Sequence, residues 1–330
     1  MAIIPKDEKG VALILTITLI GLIVILTLQF SKSIRTGLYE TANFADGVKL
    51  EAIAKSGFNC ALAALYEDDN DVDSLRDNWA FLNQYSSYST SLFDNDGRFE
   101  AEVVDLAGKI QINRLINQTG EQKGDYNTNQ QKMVTRLLSN PPFNLESDKI
   151  EEILDAIKDW IDDDNEATGF GGAEDSYYQS LDHPYSCRNA PLESLDELLL
   201  IKGITPELFY GTGEAQGISA YLTVQGDGAV NINTADPVVL EALSDDLDST
   251  MVEEMVTYRN NEKNDLNKPD WYKSAIGTKQ DYIDPPTLIT IKSSYFEIRS
   301  RGIKDSRSKE IIGIVQRNGK NLTVLSWKML

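Results

Sequence analysis

From Val11 to Phe30 the chain runs VALILTITLIGLIVILTLQF, twenty residues without one charge. As a helix rising about 1.5 Å per residue, that run reaches about 30 Å, the thickness of a bilayer's hydrocarbon core. Beyond it the pattern changes from apolar all round to one-sided. Ile34, Leu38, Thr41, Ala45, Val48 and Ala52 recur at spacings of three and four, and EAIAKSGFNCALAALYEDD keeps a helical period to about Leu65. The pattern predicts one continuous helix of more than fifty residues. Its first half suits lipid and its second half is expected to pack on its own domain.

A period of two follows. Phe99, Ala101 and Val103 alternate with Glu100, Glu102 and Val104, and Asn95-Asp96-Gly97 is a hairpin-turn signal, so the stretch from Trp79 to Leu115 reads as loop and strands. At the other end TIKSSYFEIRSRGI, KEIIGIVQRN and NLTVLSWKM read as three strands divided by Gly302 and by Asn318-Gly319. Between them NQQKMVTRLLS, ESDKIEEILDAIKDWI, SLDELLLI, DPVVLEALS and DSTMVEEMVTYRNN carry helical apolar faces, with Ser147, Ser194 and Asp236 as N-cap candidates. Strands that flank a run of helices predict an α+β fold whose sheet is split by a helical insertion. The divisions expected are 1–10, 11–30, 31–114, the insertion 115–285, and 286–330. Gly108–Leu115 (GKIQINRL) is echoed by Gly228–Ala235 (GAVNINTA), each ahead of an apolar helix, although the echo is too short by itself to establish a duplication.

The apolar run is a poor secretory signal. Such a signal has an apolar core of about 7–15 residues and a small-residue cleavage site, whereas Leu26, Leu28 and Phe30 lead here into Ser31-Lys32 with no Ala-x-Ala. Lys6 and Lys9 before the span are matched by Lys32 and Arg35 after it, so basic residues leave its orientation open. A short head kept in the cytoplasm and a long exported body is the expected topology.

Composition narrows the chemistry. A formal net charge of −21 disfavours general affinity for phosphate backbones and favours divalent cations. Cys60 and Cys187 form no CxxC pair, and both one disulfide and two free thiols stay open. The single histidine, His183, lies in the loop-like SLDHPYSC, and no nucleophile elbow, Walker loop or dinucleotide fingerprint is present, so no enzyme is expected. The acidic stretch DWIDDDNEATGFGGAED, 159–175, is the remaining candidate. Carboxylates at a helix C-terminus oppose the macrodipole and repel one another, and a cation relieves both. Calcium takes six to eight oxygens in flexible geometry, which suits a mobile Gly-rich loop, whereas zinc or copper prefer His or Cys. Asp162, Asp164 and Glu166 fit EF-hand positions 1, 3 and 5, but no Gly follows at position 6 and Glu174 comes one residue late. A purely solvated acidic loop is the competing reading.

A short charged head, Gly10, and then an apolar helix running into an amphipathic one resembles the class III signal sequences of type IV pilins and type II secretion pseudopilins. The resemblance implies that a prepilin peptidase cuts between Gly10 and Val11, that the new N-terminus is methylated, and that the helix is retained. That family usually has Glu at the fifth mature position, where this chain has Leu15. The general secretion pathway K component, GspK, commonly lacks that Glu, and DAIKDWIDDDNEATGFGGAEDSYYQSLDHPYSCRNAPLESLDELLLIKGI, VNINTADPVVLEAL and IKSSYFEIRSRGI are also similar to it. The GspK resemblance implies a type IV pilin-like fold in the inner membrane, with GspI-, GspJ- and GspH-like minor pseudopilins and the major pseudopilin as partners. It also implies calcium (Ca2+) in the helical domain, for which Asp162, Asp164, Glu166, Glu174 and Asp175 are the candidate ligands, with Asn189 as a further oxygen. Leu15 would then mark a tip subunit: a carboxylate in the membrane costs about 2.5–3.5 kcal/mol unless paired, and a tip subunit has no amino terminus ahead of it.

Two helix pairs, LDELLLIKGITPELF and NINTADPVVLEALSDDLDSTMVEEMVTYR, resemble helix-hairpin-helix elements. They keep a membrane-anchored DNA receptor as the alternative, beside a type IV pilus minor pilin. The acids of SDDLDS oppose phosphate binding, so the pairs are expected to be packing units without nucleic acid.

Overall fold

The computed structural model describes residues 8–68, 71–213 and 215–330; the first seven residues of the expected leader lie outside them. Helix α1 runs from Glu8 to Glu67, 60 residues in one piece. Its large apolar side chains from Val11 to Phe30, Leu15 among them, stay 50–69% exposed. Among the described residues the first buried position along α1 is Leu50. Ahead of it the helix projects for about 60 Å at 1.5 Å per residue. This is the one helix long and apolar enough to cross a membrane among the described residues.

The stripe expected to pack on the body does not do so. Ile34, Leu38, Thr41, Ala45, Val48 and Ala52 are all exposed, and the face laid on the sheet is instead Leu50, Ile53, Ala54, Phe58, Ala61 and Leu65. Backbone approach decides between the two stripes. A Cβ on Gly57 would lie 2.3 Å from Ser300 Oγ, one on Gly302 2.3 Å from the Leu50 carbonyl, and one on Gly313 2.8 Å from the Phe58 ring. Only with hydrogen at those positions does the helix reach the strands, and this fixes its rotation.

The sheet is antiparallel. Its first strand, β1 (Arg98–Asp105), turns Phe99, Ala101 and Val103 inward as the alternation predicts. The insertion follows with two short parallel pairs: β2 (Ile110–Gln111) on β3 (Leu222–Thr223), and β4 (Val230–Asn231) on β5 (Ile289–Thr290). Strands β6 (Tyr295–Lys304), β7 (Arg307–Asn318) and β8 (Asn321–Met329) then complete the sheet in the order β1-β6-β7-β8. Asn95-Asp96-Gly97 makes no hairpin. It ends a 3-10 segment, Ser86–Phe93, with Asp94 and Asn95 at φ 55° and 60°. That segment closes the outer edge of β1, where Ser89 Oγ accepts from Phe99 N at 3.1 Å and donates to the Phe99 carbonyl, and Ser86 Oγ accepts from Ala101 N at 3.4 Å. The outer edge of β8 has no strand beside it among the described residues.

The core of the insertion runs from Ile110 to Ile289, a few residues wider at each end than expected. It contains α2 (Thr128–Ser139) and α3 (Ser147–Ile161). Asp236 caps the Pro237–Glu241 helix as predicted, and Ser194 caps Leu195–Leu200 with a full capping box, although that run is 3-10. Ser147 is the first residue of α3 rather than its cap, which is Glu146. The sequence echo is structural. Each copy is a two-residue parallel strand ending in an Asn clamp on distant chain. Asn113 bonds both backbone groups of Leu192, at 2.8 and 2.9 Å, while Asn233 accepts from Trp271 Nε1 at 2.7 Å. At the seam with the sheet, Asp105 Oδ2 accepts from Asn231, Thr234 and Ser293 side chains at 3.0, 2.6 and 2.6 Å.

Candidate metal centre

Helix α3 buries Ile150, Ile153, Leu154, Ile157 and Trp160, and with them two carboxylates one turn apart, Asp155 and Asp159. Asp155 accepts from Tyr126 Oη at 2.7 Å and from Gly171 N, and Asp159 accepts from Thr168 N through both oxygens, at 3.0 and 3.2 Å. They draw the chain after the helix back along its flank. A Cβ on Gly171 would come within 2.4 Å of Glu152 Cα, and one on Gly172 within 2.3 Å of Asp159 Oδ2. The glycines therefore serve close packing, and the loop expected to be mobile is pinned. Asp155 and Asp159 were not identified from sequence. Their signal is an i, i+4 pair of acids on the apolar face of a helix, facing a Gly-rich return.

This fold-back brings Asp162, Asp164 and Glu174 together, one carboxylate oxygen from each lying within 4.8 Å of the others. Asp162 and Glu174 are buried. Asp162 Oδ1, both oxygens of Glu174, and Asn189 Oδ1 have no hydrogen-bond partner. Asn189, at φ 47°, reaches the cluster by donating its Nδ2 to the Asp164 carbonyl. Against these acids stands Lys158, which is 3.0 Å from Asp162 Oδ2 and also donates to Thr168 Oγ1 at 2.8 Å. Burial pushes the Glu174 carboxyl up to about 7, and Asp159, Asp162 and Asp164 add to the shift. Burial also raises Asp162, with Lys158 opposing. Bare oxygens that should not be buried unpartnered, in a set of carboxylates and an amide, fit a hard cation of the calcium kind. The one sulfur nearby, Cys187, donates to the Asp159 carbonyl, and burial pushes its thiol up to about 12, so it offers no thiolate to a soft metal.

Two expected ligands fall outside the trio. Glu166 is exposed and only its backbone N–H joins in, donating to Asp164 Oδ1 at 2.8 Å. Asp175 Oδ1 is taken by Cys187 N at 2.8 Å, which makes it a clamp on the loop that carries Asn189. Cys60, on the exposed side of α1, and Cys187, packed on α3, are both free thiols. His183 is exposed in its loop.

A second trio, Asp68, Asp73 and Asp77, has the same spacing, but each of its acids has a partner within the fold, Asp77 accepting from Ser74 N at 2.7 Å. Arg317 pairs with Asp68 at 2.9 Å and with the fully buried Asp73, whose other oxygen accepts from Ser293 N at 2.7 Å. No local pattern announces it, because Arg317 comes from β7, 244 residues away in sequence from Asp73.

The charges of the helix pairs are spent on packing. Asp245 holds Arg136 of α2 at 2.7 Å, Asp248 caps the next helix by accepting from Met251 N at 2.9 Å, and Lys202 Nζ donates to the Gly171 carbonyl at 2.9 Å.

The acidic return and its supporting helices lie inside residues 108–211, the part that matches the family model described as type II secretion system (T2SS), protein K. Curated relatives carrying the name type II secretion system protein K span more of the chain. That of Klebsiella pneumoniae is 27% identical over 235 residues, 70% of this chain and 67% of its own length. That of Aeromonas hydrophila is 27% identical over 62% of this chain and 61% of its own. That of Pseudomonas aeruginosa is 22% identical over 94% of this chain and 90% of its own. A chain in the crystal structure of the GspK-GspI-GspJ complex from the enterotoxigenic Escherichia coli type 2 secretion system shares the fold, with a TM-score of 0.69 at 18% identity, covering 88% of this chain and 99% of that one. With the apolar helix, the antiparallel sheet and the helical insertion accounted for, residues 108–211 match the type II secretion system protein K model, and the chain is similar to protein K of type II secretion systems over most of its length.

Proposed function

We propose that this minor pseudopilin forms the tip of a periplasmic pseudopilus together with GspI- and GspJ-like partners, and helps to initiate its assembly for protein secretion. The observation that carries the reading is the apolar surface of α1 that its own body does not use, which runs from Val11 through Ile34, Leu38, Phe44 and Val48. At about 25 cal/mol per Å² such a surface is costly in water, and neighbouring helices above the membrane remove that cost. The span from Val11 to Phe30 holds the precursor in the inner membrane with the body on the periplasmic side. A prepilin peptidase cuts after Gly10, and Val11 becomes the methylated N-terminus that enters the bundle with a GspH-like subunit and the major pseudopilin. Leu15 needs no partner ahead of it, and the bulk of the insertion leaves no room for a further subunit above.

Calcium belongs to the same reading as a structural ion. Asp162 Oδ1, Asp164, the two Glu174 oxygens and Asn189 Oδ1 would hold it, and when bound it supplies the positive charge that Lys158 alone does not. The support is the set of unpartnered oxygens.

Mass spectrometry of the mature chain tests the processing: a methylated Val11 start is expected, and an intact Met1 or a cut near residue 30 would sink it. Co-purification of the membrane-extracted chain with its I- and J-like partners tests the assembly. Leu38→Asp combined with Phe44→Asp should abolish recovery of the partners while unfolding of the body stays unchanged; full recovery refutes the assignment of that face.

A further inference from the structure

The two copies of the echoed motif meet around a cavity of about 280 Å³ lined from one side by Lys109, Gln111 and Arg114 and from the other by the 225–229 turn, with Lys292, Ser294 and Tyr295 closing it. In this acidic chain the lining is basic: three cations against the single acid Asp227, whose Oδ1 is occupied by Ala229 N. Lys292 is exposed and already paired with Asp71 at 3.0 Å. The other two are half-buried, and neither the Lys109 ammonium nor the Arg114 guanidinium makes a hydrogen bond or ion pair with any described residue. Burial lowers the Lys109 pKa, with the Glu297 carboxylate opposing and Arg299 adding to the shift, and Glu297 is itself paired with Arg299.

The fold does not ask for these charges. At the matching positions the second copy has Ala229 and Thr234, and it makes the same short parallel strand and the same Asn clamp. Gln111, the remaining polar side chain of the first copy here, is spent on the turn: Nε2 donates to the Val224 and Gly226 carbonyls and Oε1 accepts from Arg114 N. The turn packs against both Gln130 and the arginine stem, since Gly228 is at φ 101° and a Cβ there would lie 2.9 Å from Gln130 Nε2 and 3.1 Å from Arg114 Cγ. Half-buried cations with no hydrogen bond or ion pair inside the fold, lining one cavity, are the protein half of an anion site.

We propose that this cavity binds a small organic carboxylate, taken by the Arg114 guanidinium and the Lys109 ammonium. The planar guanidinium matches a carboxylate through two parallel N–H donors, and the ammonium adds a point charge. The volume accommodates several connected carbons beyond one oxyanion, so a dicarboxylate fills it where a sulfate leaves it mostly wet.

Calorimetric titration of the full-length chain in detergent with sodium succinate, calcium being present throughout, tests the site. One site of millimolar affinity or tighter is expected. Lys109→Met and Arg114→Gln should each weaken it about tenfold, the scale of one lost charged hydrogen bond. Lys292→Gln should change it less than about twofold, its charge being already paired at the surface. Lys109→Met should unfold no earlier than the parent chain, because no internal partner is orphaned; earlier unfolding would mean that a partner exists and would overturn the proposal. Absence of saturable binding, binding untouched by both Lys109→Met and Arg114→Gln, or sulfate binding as tightly as succinate would also overturn it.

Discussion

Two carboxylate trios of the same spacing occupy this molecule, one where α1 meets the sheet and one after α3. Asp68 and Asp73 are answered by Arg317, which reaches them from β7 and lies 4.7 Å over the Phe296 ring, and Asp77 accepts from Ser74 N and Oγ. Asp162, Asp164 and Glu174 have Lys158 on one oxygen and leave two carboxylates with bare atoms. Acid clustering alone therefore does not mark a metal site. What marks one is a set of buried carboxylate oxygens that the fold leaves without a partner.

The largest expected effect breaks the self-sufficient trio. Arg317→Met leaves Asp73 buried without its cation and should cost about 3–5 kcal/mol, read as a lower urea midpoint with or without calcium. Burial already holds the Asp73 carboxyl up at about 7, and losing Arg317 raises it further. A group with a raised folded pKa stabilises below its unfolded pKa and loses that contribution as pH rises, so the variant should be weaker at pH 8 than at pH 6.

Next in size is removal of the ion from the other trio. Chelation should lower the thermal midpoint of the full chain, by the equivalent of about 2.7 kcal/mol where free calcium had stood a hundredfold above its Kd. Asp162→Ala should erase the difference between chelated and calcium-loaded samples; a difference that persists refutes the ligand set.

A smaller effect sharpens the contrast. With Glu174 held at about 7, the calcium-free protein should lose stability as pH rises from the ordinary carboxylate range through 7, and calcium should restore it. Glu174→Gln should flatten that pH dependence in differential scanning calorimetry. The smallest expected change is at Glu166: its exposed side chain takes no part, so Glu166→Ala should leave calcium affinity within about twofold.

Much of the frame was legible from periodicity. The span of α1, the inward face of β1 and the caps at Ser194 and Asp236 all follow from patterns within one element. The misreadings arise where two elements compete for the same residue. Both stripes of α1 are helical in period, and only the glycines of the sheet, far along the chain, choose the one from Leu50 to Leu65. In the candidate site Asp162, Asp164 and Glu174 were readable as acids near a helix end. The separation of Glu166 and Asp175 from them depends on how Asp155 and Asp159 fold the return, and that is tertiary information. Arg317 had no local signal at all.

The serine hydroxyls at the rim of β1 have a consequence for how the sheet can take part in an assembly. With Ser86 and Ser89 already answering the outward amides of Phe99 and Ala101, that border is closed over its first half. The border open along its whole length to a strand from another chain is Asn321–Met329. In strand exchange the two borders are therefore unequal: a neighbour extends the sheet freely on one side, and on the other has to displace the Ser86–Phe93 segment first.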